Sequence, residues 1–69
     1  MGTSRFHVPA MDCATEKDVV ANRLARLDGI DGVDFDLLER IVTVRHRDGL
    51  AEPIDAALRE VGMEPRLLD

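Results

Sequence analysis

Residues 4–8, Ser4-Arg5-Phe6-His7-Val8, alternate polar and apolar. That period of two predicts a half-buried strand with Phe6 and Val8 inward, ended by Pro9 and Ala10. From Thr15 the period changes. Val20, Leu24 and Leu27 recur at i, i+4 and i+7 while Lys17, Asp18, Asn22, Arg23 and Arg26 fall elsewhere, which predicts an amphipathic helix. Asp28-Gly29 stops it in the manner of a helix C-terminus. Alternation resumes over 33–37 (Val33, Phe35 and Leu37 on one face) and over 42–45. The short polar link Glu39-Arg40 between these runs predicts a β-hairpin. Asp48-Gly49 reads as a turn, and Pro53 suits the first turn of a second helix. That helix carries Ile54, Leu58 and Val61 on one face and is closed by Gly62. Residues 63–68 form a plausible last strand, with Pro65 placing it at a sheet edge, where a missing N–H is tolerated.

The predicted order is strand, helix, strand, strand, helix, strand. Its compact solution is an α+β, ferredoxin-like βαββαβ domain: a four-stranded antiparallel sheet with both helices on one face. One domain spans residues 1–69, with no linker, repeat or low-complexity segment inside it. This topology sorts the loops. Residues 9–14, 38–40 and 62–64 share one end, and residues 28–31 and 46–50 share the other. Met63 or Glu64 can therefore reach a site near Cys13, and His46 cannot.

Composition narrows the function. A chain of 69 residues buries only about 60% of the surface its unfolded form exposes. Fourteen Asp/Glu against nine Lys/Arg give a net charge of −5, the wrong sign for displacing counterions from nucleic acid. The only two aromatics, Phe6 and Phe35, fall at core-facing positions, so stacking platforms for bases are missing as well. No apolar run approaches the ~20 residues that span a bilayer, and residues 1–5 lack the apolar core of a signal peptide. A cytosolic location is expected. The single cysteine excludes an internal disulfide.

The informative stretch is Met11-Asp12-Cys13-Ala14-Thr15-Glu16, crossing from the first strand into the first helix. A cysteine at a helix N-terminus feels the positive end of the macrodipole, which favours the metal-binding thiolate. Glu16, three positions on, lies beside it on the first turn, and Asp12 can reach in from the loop. One thiolate and two carboxylates suit Zn²⁺, Cd²⁺, Pb²⁺ or Co²⁺ and suit Cu(I) poorly, while leaving a tetrahedral position open. The same residues also have plainer readings. Glu16 is ordinary dipole chemistry in a first turn, Asp12 is a normal N-cap residue, and Cys13 can serve as a small buried hydrophobe. His7 points outward on the alternation, and His46 belongs to the far end and is expected to be solvated. Met63 reads as a core gap-filler before a thioether ligand. Glu39 and Glu64 add negative potential at the Cys13 end. An enzyme is not expected, because a thiolate nucleophile needs a base and both histidines are badly placed.

The run Phe6-His7-Val8-Pro9-Ala10-Met11-Asp12-Cys13 resembles the start of heavy-metal-associated domains, which read F-x-V-x-G-M-x-C-x-x-C. The helix at Val20/Leu24/Leu27, Gly32-Val33, Val42-Thr43-Val44 and Val61-Gly62 fit the same family over nearly the whole chain. Two positions depart from it: Ala10 stands for the motif glycine and Glu16 for the second cysteine. Asp12-Cys13-x-x-Glu16 is more similar to domains of zinc- and cadmium-type pumps than to the copper subgroup. The resemblance implies Asp12, Cys13 and Glu16 as ligands of one divalent ion, with Met11 packed under the loop. It also implies a regulatory or ion-delivering N-terminal domain of a heavy-metal efflux P-type ATPase, whose other cytosolic domains would be its partners. The alternatives are a free-standing metallochaperone with the same site, or a ferredoxin-like interaction module that has lost metal binding. A monomer is expected, with a metal- or disulfide-linked dimer as the form a lone cysteine allows.

Overall fold

The computed structural model describes residues 2–11, 13–47 and 49–68. Six elements follow in order: β1 (Gly2–His7), α1 (Ala14–Leu24), β2 (Ile30–Asp36), β3 (Ile41–His46), α2 (Ala51–Glu60) and β4 (Arg66–Leu67). The strands form one antiparallel sheet in the order β2-β3-β1-β4, and the ferredoxin-like arrangement is as the alternation predicts.

The period-2 face explains the core. Ser4, Phe6 and Val8 from the β1 end, and Val42, Val44 and His46 from β3, are all buried. Their register brings Phe6 opposite Val42 and Ser4 opposite Val44. Val20 and Leu24 of α1 and Ile54 and Leu58 of α2 close over this face, which contributes roughly 1.5–3 kcal/mol for each large side chain removed from water. The helices are joined at their surface by Arg23, which donates to Glu60 at 2.7 Å.

Strand β1 runs two residues earlier than the alternation predicts, at Gly2–His7, β3 gains a residue at each end, and three further differences have a local cause. Helix α1 ends at Leu24, and Leu27 packs from a following turn in which its N–H donates to the Leu24 carbonyl at 3.0 Å. Strand β2 begins at Ile30 rather than Val33, because a bulge between Ile30 and Gly32 shifts the pairing and hides the alternation. The last strand is only two residues long. It starts after Pro65 and lies at the sheet edge, as a proline there requires.

The expectation that His46 is solvated is corrected. The far-end placement holds, since Arg47 N–H bonds the Gly29 carbonyl at 3.0 Å. The His46 side chain, however, is 4% exposed and lies against Ser4, with Nε2 2.7 Å from the hydroxyl, and Nδ1 is 2.6 Å from the Arg47 carbonyl. A carbonyl can only accept, so Nδ1 carries a proton.

Candidate metal site

Two buried anchors bracket the loop that leads to Cys13. Val8 and Met11 are both fully buried, and Met11 N–H donates to the Val8 carbonyl at 3.0 Å. They close a β-turn with Pro9 and Ala10 at its centre. Proline pre-sets the first central residue of such a turn. Ala10 does not adopt a positive φ, so alanine replaces the expected glycine without strain. The burial of Met11 agrees with its expected place beneath the loop.

Cys13 is the N-cap residue of α1, in extended conformation (φ −153°, ψ 173°), and its side chain makes no capping hydrogen bond to the helix. It is exposed. Its sulfur meets Glu16 instead, with the thiol donating to Oε2 at 2.6 Å. The i, i+3 spacing on a first turn makes this meeting geometrically natural. Helix α1 starts with Lys17 N–H on the Cys13 carbonyl at 3.1 Å, and the Lys17 ammonium lies 5.5 Å from the centre of the Phe35 ring on β2. The first turn is thus tied down on both sides of Glu16.

The third sequence candidate, Asp12, lies outside the described residues. Among the described residues no three His, Cys, Asp or Glu side chains gather at metal-binding distance; Cys13 and Glu16 meet as a pair. Among the other candidates, Met63 is 7% exposed and sits in the core, on the gap-filling side of the two readings. Its position is set by the α2 terminus. Met63 N–H reaches the Leu58 carbonyl and Gly62 N–H the Arg59 carbonyl, with Gly62 at φ +77°, a Schellman close. His7 is half-buried on the β1 edge facing β4, in register with Arg66 and beside Pro9, Glu64 and Pro65. Glu39 and Glu64 are exposed on the two neighbouring connections.

A thiol and a carboxylate in direct contact can hold a divalent ion once the proton between them leaves. Thiolate sulfur and carboxylate oxygen are the usual donors for Zn²⁺, and the pair is open to solvent, where an ion can arrive. Sequence reasoning missed one participant in the loop, Arg40. It adopts φ +59°, its carbonyl accepts from Val8 N–H at 2.7 Å and its guanidinium donates to the Pro9 carbonyl at 3.4 Å. No local signal could have found a contact across 31 positions.

Among the described residues no helix is long and apolar enough to cross a membrane. Among curated proteins, no sequence matches this chain. Solved structures do. The N-terminal domain of PacS from Synechocystis PCC6803 superposes with a TM-score of 0.89 at 16% identity, covering 100% of both chains. The N-terminal domain of ZntA in its Zn(II) form gives 0.85 at 23% identity, covering 94% of this chain and 89% of that one. A gold binding protein gives 0.84 at 32% identity, covering 94% of this chain and 98% of that one. The first two speak to the fold alone. The model of the heavy-metal-associated domain matches residues 5–64, and with most of the sequence inside that match the chain belongs to the heavy-metal-associated domain family.

Proposed function

We propose that this domain binds one borderline divalent ion, Zn²⁺, Cd²⁺, Pb²⁺ or Co²⁺, through Cys13 and Glu16, with Asp12 as the third donor. In this reading it regulates, or hands ions to, a heavy-metal efflux ATPase of which it forms a cytosolic part. The observation that carries the reading is the contact between Cys13 Sγ and Glu16 Oε2 at 2.6 Å. In a tetrahedral site with ordinary Zn–S and Zn–O bonds the two donors stand about 3.6 Å apart. Replacing the shared proton by an ion therefore needs an opening of about 1 Å, within reach of side-chain rotation at an exposed pair. Metal binding then releases the thiol proton, so affinity rises with pH.

One thiolate among carboxylates supports a borderline ion over a soft one. Cu(I) favours all-sulfur surroundings, and structural relatives named for Cu(I) and for gold make soft ions the natural competitors. The test is an NMR titration of the reduced protein with Zn²⁺, Cd²⁺, Pb²⁺ and Cu(I), alongside Asp12→Ala, Cys13→Ala and Glu16→Ala. Shifts centred on residues 10–17, and weaker binding in each variant, are expected. If the wild type gives no site-specific response to Zn²⁺, Cd²⁺ or Pb²⁺, the proposal is wrong. If Cu(I) binds tighter than all three, the ion class is wrong.

A further inference from the structure

Arg40 occupies a conformation that side chains rarely adopt, with φ +59°. A non-glycine residue there calls for a reason. It ends the turn between β2 and β3, in which Glu39 N–H is held by the Asp36 carboxylate at 3.0 Å. Left-handed backbone at this point lets one residue make two contacts to the same neighbour. Its carbonyl continues the β1–β3 ladder by one rung, accepting from Val8 N–H at 2.7 Å. Its side chain crosses the turn mouth to the carbonyl of Pro9, at 3.4 Å. Val8 and Pro9 are the first two residues of the turn that ends at Met11, two positions before Cys13. The hairpin turn is therefore fastened to the stem of the Cys13 loop by backbone and by charge.

We propose that Arg40 is a positioning residue for the metal loop: its guanidinium holds the Pro9–Ala10 peptide and thereby sets where the chain presents Cys13 beside Glu16. The inference rests on the metal reading above. Glycine tolerates the left-handed region without penalty. Arg40→Gly thus keeps the backbone bond to Val8, removes the strain and deletes only the side-chain tie. A purely structural arginine would lower the stability of this variant by the lost tie and leave metal binding untouched. A positioning arginine separates the two properties.

The experiment measures three things on the wild type, Arg40→Gly and Arg40→Lys: the thermal midpoint, amide hydrogen exchange at Met11, and Zn²⁺ affinity. For Arg40→Gly the expected result is an unchanged or higher midpoint, faster exchange at Met11, and Zn²⁺ affinity lower by about three- to tenfold, the range for one lost hydrogen bond. Arg40→Lys, which keeps a cation of similar reach, recovers part of the affinity. Wild-type binding with no loss of affinity in Arg40→Gly overturns the role of Arg40 and leaves the metal reading standing. No site-specific Zn²⁺ response in the wild type overturns the metal reading itself, and with it this role, whatever the exchange at Met11 shows.

Discussion

Replacing Ser4 by alanine removes one hydroxyl from the interior and leaves the Nε2 of His46 facing nothing. In the wild type the two side chains are 5% and 4% exposed and 2.7 Å apart. The other ring nitrogen is committed to the Arg47 carbonyl at 2.6 Å, so the imidazole cannot rotate to find another partner without giving up that bond. A buried polar atom stripped of its partner costs about 1–3 kcal/mol. A chain of 69 residues has a total stability of roughly 3–10 kcal/mol at the usual values per residue. The loss is therefore a large fraction of the whole. At about 4–8 °C per kcal/mol for a domain this small, a loss of about 2 kcal/mol lowers the melting midpoint by about 8–16 °C. Thr3→Ala is the control. It lies one position away on the same strand and is exposed, where substitutions usually stay within about 0.5 kcal/mol. The assay is urea unfolding with thermal melts on both variants. If Ser4→Ala unfolds with the same midpoint as Thr3→Ala, the Ser4–His46 bond contributes nothing and the burial of His46 has another explanation.

Two further substitutions test the frame that carries the loops. Gly29→Ala meets both strain at φ +86° and the Leu50 Cδ1 at 2.8 Å from the new Cβ, while Gly62→Ala meets strain at φ +77° and open space. The urea midpoint is expected to fall further for Gly29→Ala, by more than the roughly 1–2 kcal/mol that left-handed strain alone costs. Met11→Ala opens a cavity at a fully buried position and is expected to cost about 2–5 kcal/mol, whereas Met11→Leu stays within about 1.5 kcal/mol; melting curves of the pair decide it.

The elements that the sequence disclosed are those where one period runs unbroken. Phe6 and Val8, Val20 and Leu24, Val42 and Val44, and Ile54 and Leu58 are all in the core. The start of β2 was hidden because the bulge at Gly32 interrupts the alternation. There the Arg45 guanidinium lies over the glycine, in the space a Cβ would take. The case of His46 differs, because its signal was present. The alternation that buries Val42 and Val44 continues to position 46, and that of Phe6 and Val8 runs back to Ser4. Two polar residues on the inward face of adjacent strands satisfy each other, which a reading of each strand by itself does not reveal. The contacts around the candidate site divide the same way. Cys13 and Glu16 follow from helical spacing, while the Arg40 contact depends on tertiary placement.

At the Cys13 end of the molecule, braced backbone stands beside side chains left exposed. Its three connections are held by different means: the Pro9–Ala10 turn between two fully buried residues, the left-handed Arg40 on the ladder, and the Schellman close that seats Met63 in the core. Each holds backbone, and none involves the Cys13 thiol or the Glu16 carboxylate. Those two groups sit outside the core and hold each other at 2.6 Å. On the metal reading proposed above, an entering ion would move these two groups apart by about 1 Å while the chain around them stays in place. A buried thiol packed against Met11 would bind with less adjustment, but every exchange would then disturb the core, where packing is dense and displaced atoms lose contacts outright. Donors on the surface of a braced loop, as proposed for Cys13 and Glu16, would confine the rearrangement to side-chain torsions. On the same metal reading, what the exposed position gives up in pre-organised geometry the braced backbone would partly restore, and a contact as remote in sequence as Arg40 to Pro9 would bear on a site it does not touch.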